Sequence, residues 1–327
     1  LYLLEKISAN TKSVSKVVSD AFDISTNTVH TYINELILDG VIKKGKRGQY
    51  ELVSTQFDYT LKRSKGELDS DTYAYDACLS RHIASLAENV KRIWLYAFTE
   101  MANNVVDHSD AENMQVTVTQ NYLETAVLIM DDGVGIFEKK HFSLSGLDEA
   151  ICELFKGKLT TDEQNHSGEG IFFTSKMMDK FLISSSRKIF TTSKYNNDNV
   201  FDMDEASSGT CVFMSLSNFT HKEPREVFDL YSNDDGGFSK TRIPLKNIFD
   251  SAPVSRSQAK RVCNRLEDFQ EVVFDFDDIG WMGQGFAHQL FVVFQNSHPQ
   301  ISLVPINMNE SVTNMYNHVL NSSRSTS

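Results

Sequence analysis

Residues 127–136 read VLIMDDGVGI, an apolar run that ends in two acidic residues and a glycine-rich turn. The run predicts a strand, and Asp131 stands where that strand ends. An aspartate at a strand end can accept a hydrogen bond from the amino group of a nucleotide base. Gly133 and Gly135 lack side chains, so the backbone of the turn can approach a flat ring closely. Taken alone, the pattern is also typical of an ordinary turn.

A second stretch lies upstream, at residues 98–109, and reads FTEMANNVVDHS. On a helix, Glu100, Asn104 and His108 would share one face because they are spaced four residues apart. The amide oxygen of Asn104 is a hard ligand suited to Mg²⁺. Glu100 can orient or deprotonate a water molecule, and we predict it as the catalytic residue. His108 could reach a phosphate, although Asn104 and His108 could also be solvent-facing helix positions.

Two further stretches follow the strand. Residues 166–173, HSGEGIFF, place Gly168 and Gly170 before a predicted helix, where free N–H groups attract anions such as a triphosphate. Residues 208–210 read SGT and precede another apolar run. The hydroxyl of Thr210 could complete a network around the base. Taken alone, Gly168 and Gly170 could belong to a plain loop.

In this order, the four stretches resemble the nucleotide-binding boxes of the GHKL ATPases, and the resemblance covers about residues 76–220. It implies an α/β sandwich that binds ATP and Mg²⁺. It implies that Asn104 holds the metal and that Asp131 recognises adenine. It further implies that the four glycines shape the pocket and that residues 138–167 form a mobile lid with hinges at Gly146 and Gly157. The nearest branch is the anti-sigma-factor serine kinases, which carry a histidine at the position of His108.

One residue departs from the family pattern. Glu169 stands in the glycine loop where relatives carry a neutral residue. A carboxylate beside phosphates weakens their binding unless it points away.

The first 55 residues predict three helices and a hairpin. Ser25 or Thr26 could cap the third helix, Gly40 is suited to its end, and residues 41–52 predict two short strands around a basic tip. This order resembles a winged helix-turn-helix, which implies DNA binding. The residues predicted to contact DNA are Thr26, Asn27, Thr28, His30, Lys43, Lys44, Lys46 and Arg47. A protein-docking winged helix is the alternative, since residues 1–55 carry a net charge of only +1.

Residues 238–321 predict a small α/β unit with strands near 272–276 and 301–305 and helices near 286–294 and 310–320. Residues 272–287 resemble the strand, loop and helix of STAS-like domains. In anti-sigma-factor antagonists that loop carries a phosphorylated serine, but here residues 282–285 read MGQG. Phosphorylation at that position is therefore excluded, and we expect the unit to dock a protein partner. Residues 56–75 and 221–237 are polar, and we interpret them as linkers.

Composition sets outer bounds on function. The net charge of −12 argues against a protein that coats nucleic acid non-specifically. No apolar run reaches the roughly 18 residues of a membrane helix, and four scattered cysteines fit a reducing cytoplasm. We therefore expect a multi-domain α+β protein in the cytoplasm, in which Mg²⁺–ATP switches a dimeric DNA-binding regulator. The alternatives are a serine/threonine protein kinase of anti-sigma-factor type and an ATP-gated dimerising clamp.

Overall fold

The structure is a computed structural model that describes residues 1–46, 49–136, 153, 155–157, 169–193, 199–233, 237–249 and 252–324. Its described part is a mixed α+β arrangement of helices and three sheets. One hydrophobic core belongs to the first 52 residues, and a second runs through the rest of the chain. The predicted lid at residues 138–167 lies outside the described residues, except for 153 and 155–157.

The N-terminal unit has three helices followed by a hairpin. Its elements are α1 Tyr2–Ser8, α2 Val14–Phe22, α3 Thr26–Leu38, β1 Ile42–Lys44 and β2 Tyr50–Leu52. Ser25 caps α3, because its side chain accepts a hydrogen bond from the backbone N–H of Thr28. Val29 and Ile33 of α3 are almost fully buried in the unit's core. Strands β1 and β2 pair antiparallel, as the sequence predicts.

The central unit is built on an antiparallel sheet with the strand order β3-β4-β5-β7-β6. Its strands are β3 Thr55–Lys62, β4 Asn113–Gln120, β5 Glu124–Asp131, β6 Lys180–Ser193 and β7 Asn199–Ser217. Its helices are α4 Asp71–Tyr75, α5 Glu88–His108, α6 Gly170–Met177 and α7 Pro224–Tyr231. Helix α5 packs against α4, α6 and β5, and the residues it buries recur every three or four positions.

The expectation of two linkers is wrong. Residues 55–62 form β3, which pairs with β4 along its whole length, and only Val53 and Ser54 separate it from β2. An edge strand needs few apolar residues because much of its surface faces water, which explains why the segment reads as polar. Residues 224–231 form α7, which begins with a capping box between Glu223 and Glu226.

The C-terminal unit contains a parallel sheet with the order β10-β9-β8. Its elements are β8 Lys240–Pro244, α8 Arg256–Cys263, β9 Glu271–Asp275, α9 Gln284–His288, β10 Ser302–Ile306 and α10 Glu310–Arg324. Helix α9 continues through a π-helical stretch, Gln289–Phe294. These elements confirm the strands and helices predicted between residues 272 and 320.

Candidate functional site

The polar face of α5 carries three of the predicted site residues. Glu100, Asn104 and His108 all lie on this one helix and are all half-buried. Ser109 follows the last turn, and its hydroxyl donates to the carbonyl of Val105. The same hydroxyl accepts from the N–H of Ala111, so the chain turns sharply where α5 ends. The predicted helix and its shared face are confirmed.

Asp131 stands at the end of β5, and two backbone groups hold its carboxylate. Gly133 donates its N–H to one oxygen at 2.9 Å, and Thr210 donates its N–H to the other at 3.2 Å. Burial raises the pKa of the Asp131 carboxyl to about 6. The two hydrogen bonds act in the opposite direction, and the charge of Asp132 adds to the rise.

Close contacts bring the turn after β5 onto the end of α5. A β-carbon at Gly133 would lie 2.1 Å from the carbonyl oxygen of Ser109, so no larger residue fits there. The N–H of Val134 donates to that same oxygen at 2.6 Å. Gly135 is buried, and a β-carbon there would lie 2.3 Å from the hydroxyl of Ser185.

Residues 208–210 pack against Asp131. Gly209 has a φ of +70°, and a β-carbon on it would lie 2.0 Å from the carbonyl oxygen of Asp131. The hydroxyl of Thr210 accepts a hydrogen bond from the N–H of Ile136 at 3.1 Å. Thr210 therefore contacts the turn with both its backbone and its side chain.

The first turn of α6 meets the face of α5 at Glu100. A β-carbon at Gly170 would lie 1.9 Å from a carboxylate oxygen of Glu100. Burial raises the pKa of the nearby Tyr96 hydroxyl well above its ordinary value, and the negative charges of Glu100 and Glu169 raise it further. Two carboxylates thus stand near the start of α6. Gly168 lies outside the described residues.

The structure brings the four stretches into contact in pairs. The turn after β5 touches the end of α5 through Gly133, α6 touches α5 through Gly170, and β7 touches β5 through Gly209 and Thr210. One polar region between α5, α6 and the sheet results. Within the described part of the chain, no group of three or more His, Cys, Asp or Glu side chains is arranged to hold a metal ion.

Sequence reasoning missed Arg63, which follows β3 in the segment expected to be a linker. Its guanidinium donates to the carbonyls of Ala111 at 2.8 Å, Val106 at 3.0 Å and Val105 at 3.1 Å. These bonds occupy acceptors at the end of α5 and brace it. A single arginine after a polar stretch offers no sequence signal for this role.

The residues predicted to contact DNA lie on the surface of the N-terminal unit. Thr26, Asn27 and His30 of α3 are exposed, while Thr28 is half-buried and shares a hydrogen bond with the hydroxyl of Ser25. Of the predicted DNA-contacting residues on the hairpin, Lys43, Lys44 and Lys46 are exposed. Lys43 pairs with Glu51 across the two strands at 3.5 Å. Arg47 lies outside the described residues.

The loop after β9 in the C-terminal unit divides into an exposed and a buried part. Trp281 is 51% exposed, whereas Met282 and Ile279 are buried in the core. The carboxylate of Asp275, at the end of β9, accepts hydrogen bonds from the side chains of Arg242 and Asn307. The carboxylate of Asp275 therefore has its hydrogen-bond partners within the fold.

Comparison with known proteins bears on the C-terminal unit. Residues 258–313 match the model of a STAS-like domain of unknown function (DUF4325). No curated protein matches the chain. Among the described helices, none has both the length and the apolar character needed to cross a bilayer. The chain therefore contains a STAS-like domain of unknown function in its C-terminal part, within the unit predicted at residues 238–321.

Proposed function

We propose that the central unit is a GHKL-type domain that binds ATP with Mg²⁺, and that the bound nucleotide switches a DNA-binding regulator. The observation that carries this proposal is the environment of Asp131. Its carboxylate is half-buried and held by two backbone N–H groups, and Gly209 packs so closely against Asp131 that a side chain there would clash. Such a carboxylate suits an adenine amino group, which would donate a hydrogen bond to it.

The remaining roles follow from chemistry and position. Gly133 and Gly135 would shape the pocket by letting the turn after β5 pack closely against Ser109 and Ser185, and Thr210 would complete the network around the base. Gly168 and Gly170 would present backbone N–H groups to the phosphates at the start of α6. His108 would contact a phosphate.

The acidic residues near α6 fit a metal-bound triphosphate better than a bare one. Glu100 and Glu169 add negative charge beside the predicted phosphate position. A bound Mg²⁺ would offset that charge, with Asn104 as its protein ligand and phosphate oxygens and water as the others. Mg²⁺ is commonly held by only one or two protein groups. Glu100 would orient a water molecule toward the terminal phosphate.

The N-terminal unit is proposed as a winged helix that binds DNA. The exposed polar side chains of α3 could enter the major groove, while the basic hairpin would contact phosphates. We propose a cytoplasmic homodimer, because one such unit makes few base contacts and paired half-sites are common. The STAS-like domain would dock a protein partner.

The test is a calorimetric titration with Mg²⁺–ATP. Asn104→Ala should weaken binding by at least about tenfold, since mutating even the neighbours of a metal ligand costs that much. Asn103→Ala is the matched control, because adjacent residues on a helix point in different directions and its binding should stay unchanged. Equal affinities for the parent and Asn104→Ala would refute the metal assignment. Transfer of labelled phosphate to a partner protein would instead identify a kinase.

A further inference from the structure

Helix α6 connects the candidate site to the C-terminal unit. Its first residue, Gly170, lies against Glu100, while Phe172 and Phe173 are nearly fully buried further along the helix. The rings of Phe172 and Phe173 pack against Phe238, with centroids 5.0 and 5.1 Å apart. Helix α6, which begins at the predicted phosphate site, therefore packs against a residue from outside the central sheet.

Phe238 belongs to the C-terminal unit. The carbonyl of the next residue, Ser239, accepts hydrogen bonds from the N–H groups of Gln270 and Glu271, which lead into β9. The ring of Phe238 packs edge-on against Phe269, 5.3 Å away. Phe238 is thus fixed on one side by the STAS-like unit and on the other by α6.

A buried ion pair makes a second connection. Lys156 and Glu153 are almost completely buried and lie 2.7 Å apart. The ammonium group of Lys156 also donates to the carbonyl of Asn264, after α8, and the hydroxyl of Thr241 in β8 donates to the carbonyl of Lys156. A buried charge is tolerated only with good partners, so these bonds favour a single arrangement of the two units.

The backbone beside this ion pair is tightly packed as well. Gly157 has a φ of +82°, and a β-carbon there would lie 2.7 Å from Phe172 and 2.8 Å from Phe238. At the far end of α6, Lys222 donates to the carbonyls of Met177 and Met178. Helix α6 is consequently held by Phe238 of the C-terminal unit, and also by Lys222 and the α7 residues Phe228 and Tyr231 of the central unit.

We propose that the STAS-like unit helps to position α6 in the nucleotide site, that Phe238 is a positioning residue through which it does so, and that docking of this unit and binding of Mg²⁺–ATP are therefore coupled. This inference rests on the proposed function. The coupling is reciprocal, since a nucleotide that shifts α6 must change how tightly the C-terminal unit is held, and the reverse. A protein partner that draws the STAS-like unit away from α6 would lower the affinity for ATP.

Phe238→Leu in the full chain tests the coupling, because leucine stays apolar but loses the ring contacts with α6. We expect Mg²⁺–ATP to bind about tenfold more weakly, within the usual range of coupling between two sites. Phe291→Leu is the matched control. Phe291 is equally buried in the C-terminal unit, but its ring contacts Phe274, Phe276 and Tyr316 and not α6. Thermal melts of both variants would show that the fold is retained.

Hydrogen exchange on the unsubstituted chain gives a second measurement that needs no variant. Saturating Mg²⁺–ATP should slow exchange of the backbone amides in β8, a strand of the C-terminal unit. Equal affinity in the parent and Phe238→Leu, or unchanged exchange in β8 with ATP bound, overturns the coupling alone. A parent chain that ignores ATP overturns both the coupling and the proposed function.

Discussion

If Asp131 accepts a hydrogen bond from adenine, acid should weaken nucleotide binding. The ionised carboxylate is the better acceptor, and burial raises its pKa to about 6 in the free protein. Between pH 7 and pH 5 the ionised fraction falls from about nine-tenths to about one-tenth. Affinity should therefore fall about tenfold, which corresponds to about 1.4 kcal/mol.

The same raised pKa affects stability. Between pH about 4 and about 6 the folded protein keeps the Asp131 proton while the unfolded chain has released it. Asp131 thus contributes stability when the pH is below its pKa in the unfolded chain. That contribution is lost as the pH rises through its pKa in the folded protein. The loss is at most about 3 kcal/mol at pH 7, for a shift of about two pKa units. A nucleotide that donates a hydrogen bond to the carboxylate would offset part of this loss of stability.

The assay is calorimetric titration with Mg²⁺–ATP from pH 5 to pH 8 on three proteins. Asp131→Asn should bind weakly and show only the titration of the nucleotide itself. Asp132→Asn is the control, because hydrogen bonds from the side chain and backbone of Asn113 lower the pKa of Asp132 and keep it ionised throughout. It should still bind more weakly in acid, with the loss of affinity moved to lower pH because the charge of Asp132 adds to the raised pKa of Asp131. A parent whose affinity changes no more than that of Asp131→Asn would refute the role of this carboxylate.

Two other predictions concern DNA and the turn around Asp131. Four basic residues of the hairpin would be replaced together by alanine, namely Lys43, Lys44, Lys46 and Arg47. This change should weaken DNA binding. It should also reduce the slope of log affinity against log salt concentration by up to about three to four, the loss expected for as many phosphate contacts. Fluorescence anisotropy at several salt concentrations measures both effects. A parent without salt-dependent DNA binding would make the N-terminal unit a protein-docking module. Gly209→Ala should destabilise the protein by at least about 2 kcal/mol in urea unfolding, since it adds a backbone clash with Asp131 to the strain of positive φ. Gly66→Ala has a similar φ of +72° but would meet only the carboxylate of Asp69, so a loss of stability as large as that of Gly209→Ala would contradict this reasoning.

Short-range patterns were sufficient to locate the candidate site. The spacing of Glu100, Asn104 and His108 specifies a helix face, and the apolar run before Asp131 specifies a strand end. Both signals are local, because helix and strand periodicities act over a few residues. The C-terminal strands and helices could be predicted for the same reason.

Tertiary contacts decided what local pattern could not. Residues 56–62 look like part of a linker, yet they belong to an edge strand because β4 offers unpaired backbone groups to them. Arg63 braces α5 across more than forty positions of sequence, and Phe238 meets Phe172 only after two separate units have packed together. Contacts of this kind depend on which surfaces the folded units bring together, a choice that no stretch of the sequence encodes alone. The sequence by itself therefore determined which local segments carry the candidate site, and the tertiary structure decided which distant residues hold those segments in place.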